Sequence, residues 1–535
     1  MRRPLLLPIL LLVAIAVGAG LILPVWEDPT ARAPFTRFTD GHLLGISLWA
    51  QPLRAGILPT FHTPVVAWPT GADLRPLLWP TTLLGALLGA PLALAVTFAL
   101  VPAFNLAGGW LLGKVLGRGP AGCALLGGLL AFHPWVLETL ANGQVEQAIL
   151  GGAALQLAAA IFAARSPSWW APVLPGVTTA LLGWAAPHVA LAGCLVIGLW
   201  ALVEMAPRRA EGPPRRRGRW LVVLGSVALG ALAVQAYHAP SFAPGIHVFA
   251  PKGSEGRPTG LADLPEVTSL RGLLLPPDVR VAPPVLHPNW LGWVLLGTAA
   301  WAAGRERSAR GGLVVAAVLV LFSLGPAITL AGATIPLPWA ALAALAPTIS
   351  QSLSAYRLVM GAVLALAVVA SAGPRSVSVA LVAIALALGE AAAGATRPLP
   401  LRSQSAYADA SRAALAAGTG PVLDLPLAGP TCPNGTAHYL LEAAATGRPV
   451  PLQLTNPRAG YAAVPGLVAG LNRAWSGGED CPAQLRAMVD KWPFTTLVLH
   501  RHDRDCPAPP RVAPCLEAAL GPGTTEGGVT WWALE

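Results

Sequence analysis

The placement of charge constrains this chain more than any other feature: long apolar runs are separated alternately by arginine-rich loops and by loops holding the histidines and acids. The runs lie near residues 5–25, 92–113, 119–134, 147–164, 170–186, 188–205, 219–237, 289–304, 311–332, 356–372 and 376–394. They predict about eleven helices able to cross a hydrocarbon layer of roughly 30 Å. A soluble domain carries about 25% charged residues. Here 11% of 535 residues are charged and 54% are hydrophobic, more apolar surface than a soluble core absorbs. The expected fold class is mainly α, a polytopic transmembrane helix bundle. Leu5 to Val25, after Met1-Arg2-Arg3, reads as an uncleaved span; a signal peptide cut at Ala31-Arg32-Ala33 is the alternative, with cleavage unusually far from the start.

Orientation follows from the short basic loops. Arg2 and Arg3, Lys114 and Arg118, Arg165, the run Arg208 to Arg219, Arg305 to Arg310, and Arg375 all fall where a path beginning inside returns inside. The net charge of +10 is therefore mainly a topology signal. The segment Pro213-Pro214-Arg215-Arg216-Arg217 has no interleaved aromatics and sits between two spans, so it reads as an anchor on anionic lipid and not as a nucleic-acid surface. Composition rich in alanine, arginine, glycine and proline points to a GC-rich genome and a bacterial inner membrane as the home.

An odd number of spans leaves residues 395–535 outside the cytoplasm, and 1–394 as the membrane domain. Four of the six cysteines, Cys432, Cys481, Cys506 and Cys515, lie in this tail, where an oxidising compartment allows two disulfides. Three connectivities are open, and Cys506 with Cys515 closes a short loop. Cys123 and Cys194 fall within spans as small buried hydrophobes. β-rich runs at Pro421–Leu425, Thr495–His500 and Val529–Leu534 alternate with helical patterns at Ala437–Ala445, Pro482–Trp492 and Cys515–Leu520. This predicts a small extracytoplasmic α/β domain, joined by a linker from Gly394 to Ser405. His500-Arg501-His502-Asp503 reads as a strand-end turn, because two histidines one residue apart face opposite sides of an extended chain.

Chemistry is expected at the outer face. Of the acids before the basic loop at 208, Glu27, Asp28, Asp40, Asp73, Glu138 and Glu146 map outside, with Glu204 the exception. His42, His62, His133, His188, His238, His247 and His287 fall in or beside outer loops. The first outer loop, 26–80, is the richest. Thr36-Arg37-Phe38-Thr39-Asp40-Gly41-His42 leads into Leu43-Leu44-Gly45-Ile46-Ser47-Leu48-Trp49, whose apolar residues recur at helical spacing, as in a helix lying in the membrane interface. Asp40 at its start has two compatible readings, a helix N-cap and a carboxylate able to deprotonate an acceptor hydroxyl.

The order of first span, long outer loop with an Asp-Gly pair, interfacial helix with Trp49, then Trp68-Pro69-Thr70-Gly71-Ala72-Asp73-Leu74 resembles the GT-C superfamily of lipid-linked-sugar glycosyltransferases. The likeness continues through Ala103-Phe104-Asn105-Leu106, Gly108-Gly109-Trp110, Phe132-His133-Pro134-Trp135, Asn142-Gly143-Gln144-Val145-Glu146-Gln147, Ser354-Ala355-Tyr356-Arg357 and Val422-Leu423-Asp424-Leu425-Pro426. It is most similar to bacterial members with a small outer C-terminal domain. The resemblance implies inverting transfer of a hexose or pentose from a polyprenyl-phosphate sugar to a glycan, lipid or protein acceptor, with Asp40 as general base. Where many members pair two acids, this chain has Gly41 and then His42.

Four further residues are candidates for the same site. His42, Glu138 and Glu146 complete a substrate-binding set with Asp40; a Mg or Mn site needs several of Asp40, His42 and Glu146 to converge. Solvated loop acids are the plain alternative for Glu138 and Glu146, and a helix terminus for His133. Arg357, at the outer end of a late span, either holds a carrier phosphate or snorkels from the helix end. No Gly-x-x-x-x-Gly-Lys-Ser/Thr loop, Gly-x-Ser-x-Gly elbow or His-Glu-x-x-His pair occurs, and the glycine pairs within spans fit close helix packing better than nucleotide binding. Two other classes stay open: a transporter or flippase of lipid-linked envelope material, and an inactive scaffold with this fold.

Overall fold

The computed structural model describes residues 5–57, 78–206, 215–238, 290–345, 355–395, 399–405, 418–425, 480–500 and 511–534, apart from a few single positions within these runs, together with isolated short pieces between them. The described part is mainly helical. In chain order the helices are α1 (Leu6–Leu21), α2 (Thr39–Arg54), α3 (Trp79–Leu88), α4 (Ala90–Val115), α5 (Pro120–Phe132), α6 (Pro134–Ala141), α7 (Leu150–Arg165), α8 (Val173–Ala185), α9 (Pro187–Met205), α10 (Arg215–His238), α11 (Trp293–Arg305), α12 (Arg310–Ser323), α13 (Pro338–Leu345), α14 (Val359–Ala370), α15 (Val377–Ala393), α16 (Cys481–Lys491) and α17 (Val512–Leu520). Four segments among the described residues are long and apolar enough to cross a membrane: Ala90–Val115, Pro120–Ala141, Pro187–Met205 and Gly218–His238. α1, α7, α8, α12, α14 and α15 are shorter apolar helices packed with them.

Small residues let these helices approach closely. A Cβ added at Gly109 of α4 would stand 2.7 Å from Cα of Gly127 in α5, and one at Gly18 of α1 would stand 2.5 Å from the Ala99 carbonyl of α4. Where the solvent outside a helix is itself apolar, such fit is a main source of association. Outward-facing Leu12, Leu87, Leu221, Leu229 and Leu232 are exposed, as a lipid-facing surface requires.

The two ends of the bundle differ. At one end Arg165 donates to the Val115 carbonyl (3.1 Å), Arg219 to Pro167 (3.0 Å) and Arg310 to Ala303 (3.2 Å), so the cations sit on helix C-termini. The opposite end carries His42, Glu138, Glu146, His188 and Arg357. There Glu390, near the end of α15, accepts from the backbone N–H groups of Trp293 and Val294 and so caps the first turn of α11.

Two segments depart from the hydropathy reading. The run 311–332 is helical only to Ser323; a hairpin of β4 (Ala327–Leu330) and β5 (Ala333–Pro336) follows, because β-branched and apolar strand residues look the same as helix residues on a hydropathy scale. The run at 119–134 breaks at His133, where Pro134 starts α6.

The C-terminal part holds a sheet of order β7 (Val422–Leu425), β8 (Thr496–His500), β10 (Val529–Ala533), β9 (Thr524–Glu526), with β7 parallel to β8 and the other pairs antiparallel. Every residue of β7 and β8 is buried, as in strands covered on both faces. Leu485 of α16 and Leu516 of α17 complete its core. Of the connectivities left open, the structure has Cys481 disulfide-bonded to Cys515, where α16 and α17 pack side by side. Cys432 and Cys506 lie outside the described residues. Cys123 is a buried free thiol and Cys194 a partly buried one.

The segment read as a linker is partly ordered into structure. Ser403–Ser405 forms β6, antiparallel to β1 (Arg32–Pro34), and the Leu401 N–H donates to the Leu21 carbonyl at 2.7 Å. α2 lies between the two parts: Leu43, Ile46 and Ala50 enter the bundle core, while Leu48 packs on the core of the C-terminal domain.

Candidate active site

The site is built on α2 and the turn after α6. Asp40 lies in the first turn of α2, where the free N–H groups favour a carboxylate; its side chain lies outside the described part. One step further along the same turn, His42 donates from Nε2 to the Gly143 carbonyl at 2.9 Å, and Glu146 Oε2 stands 3.2 Å from the same nitrogen. Gly143 carries a φ of +82°, a conformation that favours glycine, and this turns its carbonyl towards α2.

The turn is held from behind by a residue that motif reading did not single out. Asn105, fully buried in α4, donates to the Ala148 carbonyl and accepts from the Gly151 N–H, both at 2.7 Å. A lone amide in an apolar span is a signal in itself, since it needs such partners. Glu138 is buried on α6, and its carbonyl accepts from the Asn142 N–H at 2.9 Å, at the base of the same turn.

Burial works against charge on both members of the His42–Glu146 pair. The hydrogen bond and charge of Glu146, with the Gly143 carbonyl, outweigh it and hold His42 above its ordinary value. Burial likewise pushes Glu146 up, but its bond to His42 and the positive charges of His42 and Arg357 bring it below the usual carboxylate range. Each partner therefore favours the charged form of the other.

Arg357 belongs to the same end. It sits buried in the short turn Ala355–Leu358 before α14, so it does not snorkel to solvent. Its Nη1 lies 3.0 Å from Nδ1 and 2.8 Å from Nε2 of His188, and Nε donates to the Tyr356 hydroxyl at 3.0 Å. His188 and Tyr356 were not among the candidates. His188 follows Pro187 at the start of α9, and only the fold brings it to Arg357, 169 positions away.

His133 is structural: Nε2 donates to the Leu291 carbonyl (2.8 Å) and Nδ1 accepts from the Trp135 N–H (3.0 Å), capping α6. In the C-terminal domain His500 ends β8 with Nε2 3.2 Å from Asp424 Oδ1, and the Tyr439 ring stacks on it at 4.9 Å. Arg501, His502 and Asp503 lie outside the described residues.

His42 and Glu146 are two donors at a suitable separation, yet the His42 nitrogen facing Glu146 carries the proton given to Gly143. No group of three or more His, Cys, Asp or Glu side chains gathers among the described residues. These residues alone do not make a Mg or Mn site.

No protein-family model matches the chain, and no curated protein sequence matches it. Solved structures do. The archaeal oligosaccharyltransferase AglB from Archaeoglobus fulgidus, in complex with an inhibitory peptide and a dolichol-phosphate, aligns with a TM-score of 0.56 at 14% identity, over 92% of this chain and 69% of that one. The Archaeoglobus fulgidus oligosaccharyltransferase with Zn and sulfate aligns with a TM-score of 0.51 at 16% identity, over 92% and 68%. The form tethered to an acceptor peptide containing the NVT sequon gives 0.50 at 13% identity, over 92% and 69%. At these identities the likeness is one of fold: the chain has the fold of the Archaeoglobus fulgidus oligosaccharyltransferase.

Proposed function

We propose that this chain is a GT-C-type glycosyltransferase that moves a sugar from a polyprenyl-phosphate-linked donor to an acceptor at the outer face of a bacterial inner membrane. The observation that carries this reading is the convergence, at one end of a GT-C fold, of the first turn of α2, the His42–Glu146 pair and the Arg357–His188 pair. In this reading Asp40 takes the proton of the acceptor as general base. The acceptor atom bonds to the anomeric carbon as the bond from that carbon to the phosphate oxygen breaks, with inversion. The departing electron pair stays on the phosphate, whose negative charge the Arg357 guanidinium offsets. Glu146, kept ionised, faces the positive charge that develops on the sugar ring. His42 holds Glu146 in place, and Glu138 lines the sugar side of the site. No step is routed through a metal.

The topology belongs to the same proposal: about eleven crossings, the N-terminus and the arginine-capped end inside, and residues 395–535 outside, over α2. The acceptor, a glycan, a lipid or a protein, enters between α2 and that domain. The Archaeoglobus fulgidus structures hold a dolichol-phosphate with an inhibitory peptide and, in another form, a tethered acceptor peptide.

The test is mass spectrometry of lipid and polysaccharide extracts from cells with the wild-type gene, with Asp40→Asn, and without the gene. Loss of one glycan species with accumulation of its polyprenyl-linked donor is expected in both altered strains, with normal amounts of the Asp40→Asn protein. A defect in the deletion that Asp40→Asn fully rescues would overturn the catalytic assignment and favour a transporter or scaffold.

A further inference from the structure

The turn between α6 and α7 carries both groups that face His42, the Gly143 carbonyl and the Glu146 carboxylate. Bonds within the turn give it its shape: the Gln144 N–H donates to the Thr139 carbonyl at 3.1 Å and the Gln147 N–H to the Gln144 carbonyl at 3.0 Å. The Gln147 side-chain amide also donates to Glu146 Oε1 at 3.4 Å, so the carboxylate travels with the turn. None of these bonds fixes the turn relative to α2. Nor does a local cap anchor the start of α7, where Ile149 offers no side-chain acceptor.

Asn105 supplies that cap from another helix. Its Oδ1 accepts from the Gly151 N–H in the first turn of α7, and its Nδ2 donates to the Ala148 carbonyl. The short side chain reaches both because no side chain separates the two backbones: a Cβ on Gly151 would stand 2.7 Å from the Asn105 Cα. α2 rests on the same helix, with Leu43, Ile46 and Ala50 in one core with Leu94 and Ala95 of α4. His42 and Glu146 are thus brought together by two elements that share α4 as their footing. An amide fully buried in an apolar span is costly to keep, and here both its bonds, at 2.7 Å, go to the start of α7, where the turn ends. We infer that Asn105 is a positioning residue for the His42–Glu146 pair: it sets the height of the turn on α4 so that Glu146 and the Gly143 carbonyl meet His42.

The inference rests on the reading of this pair as part of a transfer site, and the experiment separates the two. In the purified full chain, Asn105→Leu, close in volume but without polar atoms, and Asn105→Asp are each made in the wild-type and Glu146→Gln backgrounds. The protonated carboxyl of Asn105→Asp offers one donor and one acceptor in place of the amide. Asn105→Leu is expected to lower kcat for transfer about tenfold with KM changed less than about twofold, as misplacing a reacting group does. In the Glu146→Gln background it should cost less than about twofold. Asn105→Asp should approach wild-type activity at the acid end of the pH range and fall behind it as pH rises. Melting temperatures give the same cycle without any activity: the loss caused by Glu146→Gln should shrink by about half beside Asn105→Leu. Should Asn105→Leu not fold, Asn105→Asp at high pH carries both cycles. Coupled melting with no dependence of transfer on Glu146 would keep the positioning role and retire the transfer reading. Melting costs that simply add would overturn the inference whatever the activity, and so would an Asn105→Leu enzyme that keeps wild-type kcat while Glu146→Gln loses its own.

Discussion

At the arginine end of the bundle the arginines Arg165, Arg219 and Arg310 are spent on backbone carbonyls, whereas at the acid and histidine end polar side chains also meet one another across the fold. Arg310 reaches seven residues back to Ala303, and Arg165 reaches 50 back to the end of α4, each to a carbonyl that a helix leaves free. His42 meets Gly143 across 101 positions and Arg357 meets His188 across 169. The first pattern finishes helices. The second buries a histidine against a carboxylate and an arginine against a histidine, which is costly unless each partner is satisfied, and it is the arrangement expected where charge does chemical work.

Glu146→Gln should break this contrast most. Transfer activity is expected to fall by about 10²–10³-fold, the size usual for loss of one preorganised electrostatic group, while expression stays near normal; an in vitro transfer assay measures it. The same variant tests the ionised pair. His42, raised in the folded protein, contributes stability that is full below about 6.5 and lost as pH rises through its folded value. Glu146, lowered, contributes stability that is full above about 4.5 and lost as pH falls through its folded value. The difference in melting temperature between wild type and Glu146→Gln should therefore be largest between these two pH values and shrink on either side.

Arg357→Lys sharpens the comparison next. It keeps the charge but removes the planar fork, so the KM for the lipid-linked donor should rise about tenfold with a smaller change in kcat, read in steady-state kinetics. Gly143→Ala should cost about 1–2 kcal/mol of stability, because the positive φ that aims its carbonyl at His42 is strained for any side chain; thermal melting reads this. At the arginine end, Arg165→Gln should change the same melting temperature by less than about 0.5 kcal/mol equivalent, since it removes one local bond and leaves no buried charge behind.

How much of this was legible in the sequence depends on distance along the chain. α2 was legible because its apolar residues repeat at helical spacing over one short stretch, and β7, β8 and β10 because β-branched and aromatic residues cluster there. The candidate Glu146 was visible as an acid in a loop. That its partner is His42, with the imidazole bound to Gly143, depends on a turn held by Asn105 from another helix. Arg357 was visible as a cation at a helix end, but its burial against His188 was not, since no local pattern encodes a contact across 169 positions. That Cys481 and Cys515 form a disulfide was legible and their pairing was left open, because pairing among four cysteines is a matter of fold; the β4–β5 hairpin was missed because hydropathy does not separate strand from helix in an apolar run.

Glu390 has one further consequence. Its two oxygens hold two successive backbone amides of α11 from the neighbouring α15, so a slide of one residue along either axis, about 1.5 Å, breaks both bonds together. The carboxylate acts as a dowel between two rods. It fixes the height of Trp293, whose ring meets that of the buried Trp290 edge to face at 5.6 Å, so the register of α11 on α15 rests on a single side chain of the neighbouring helix.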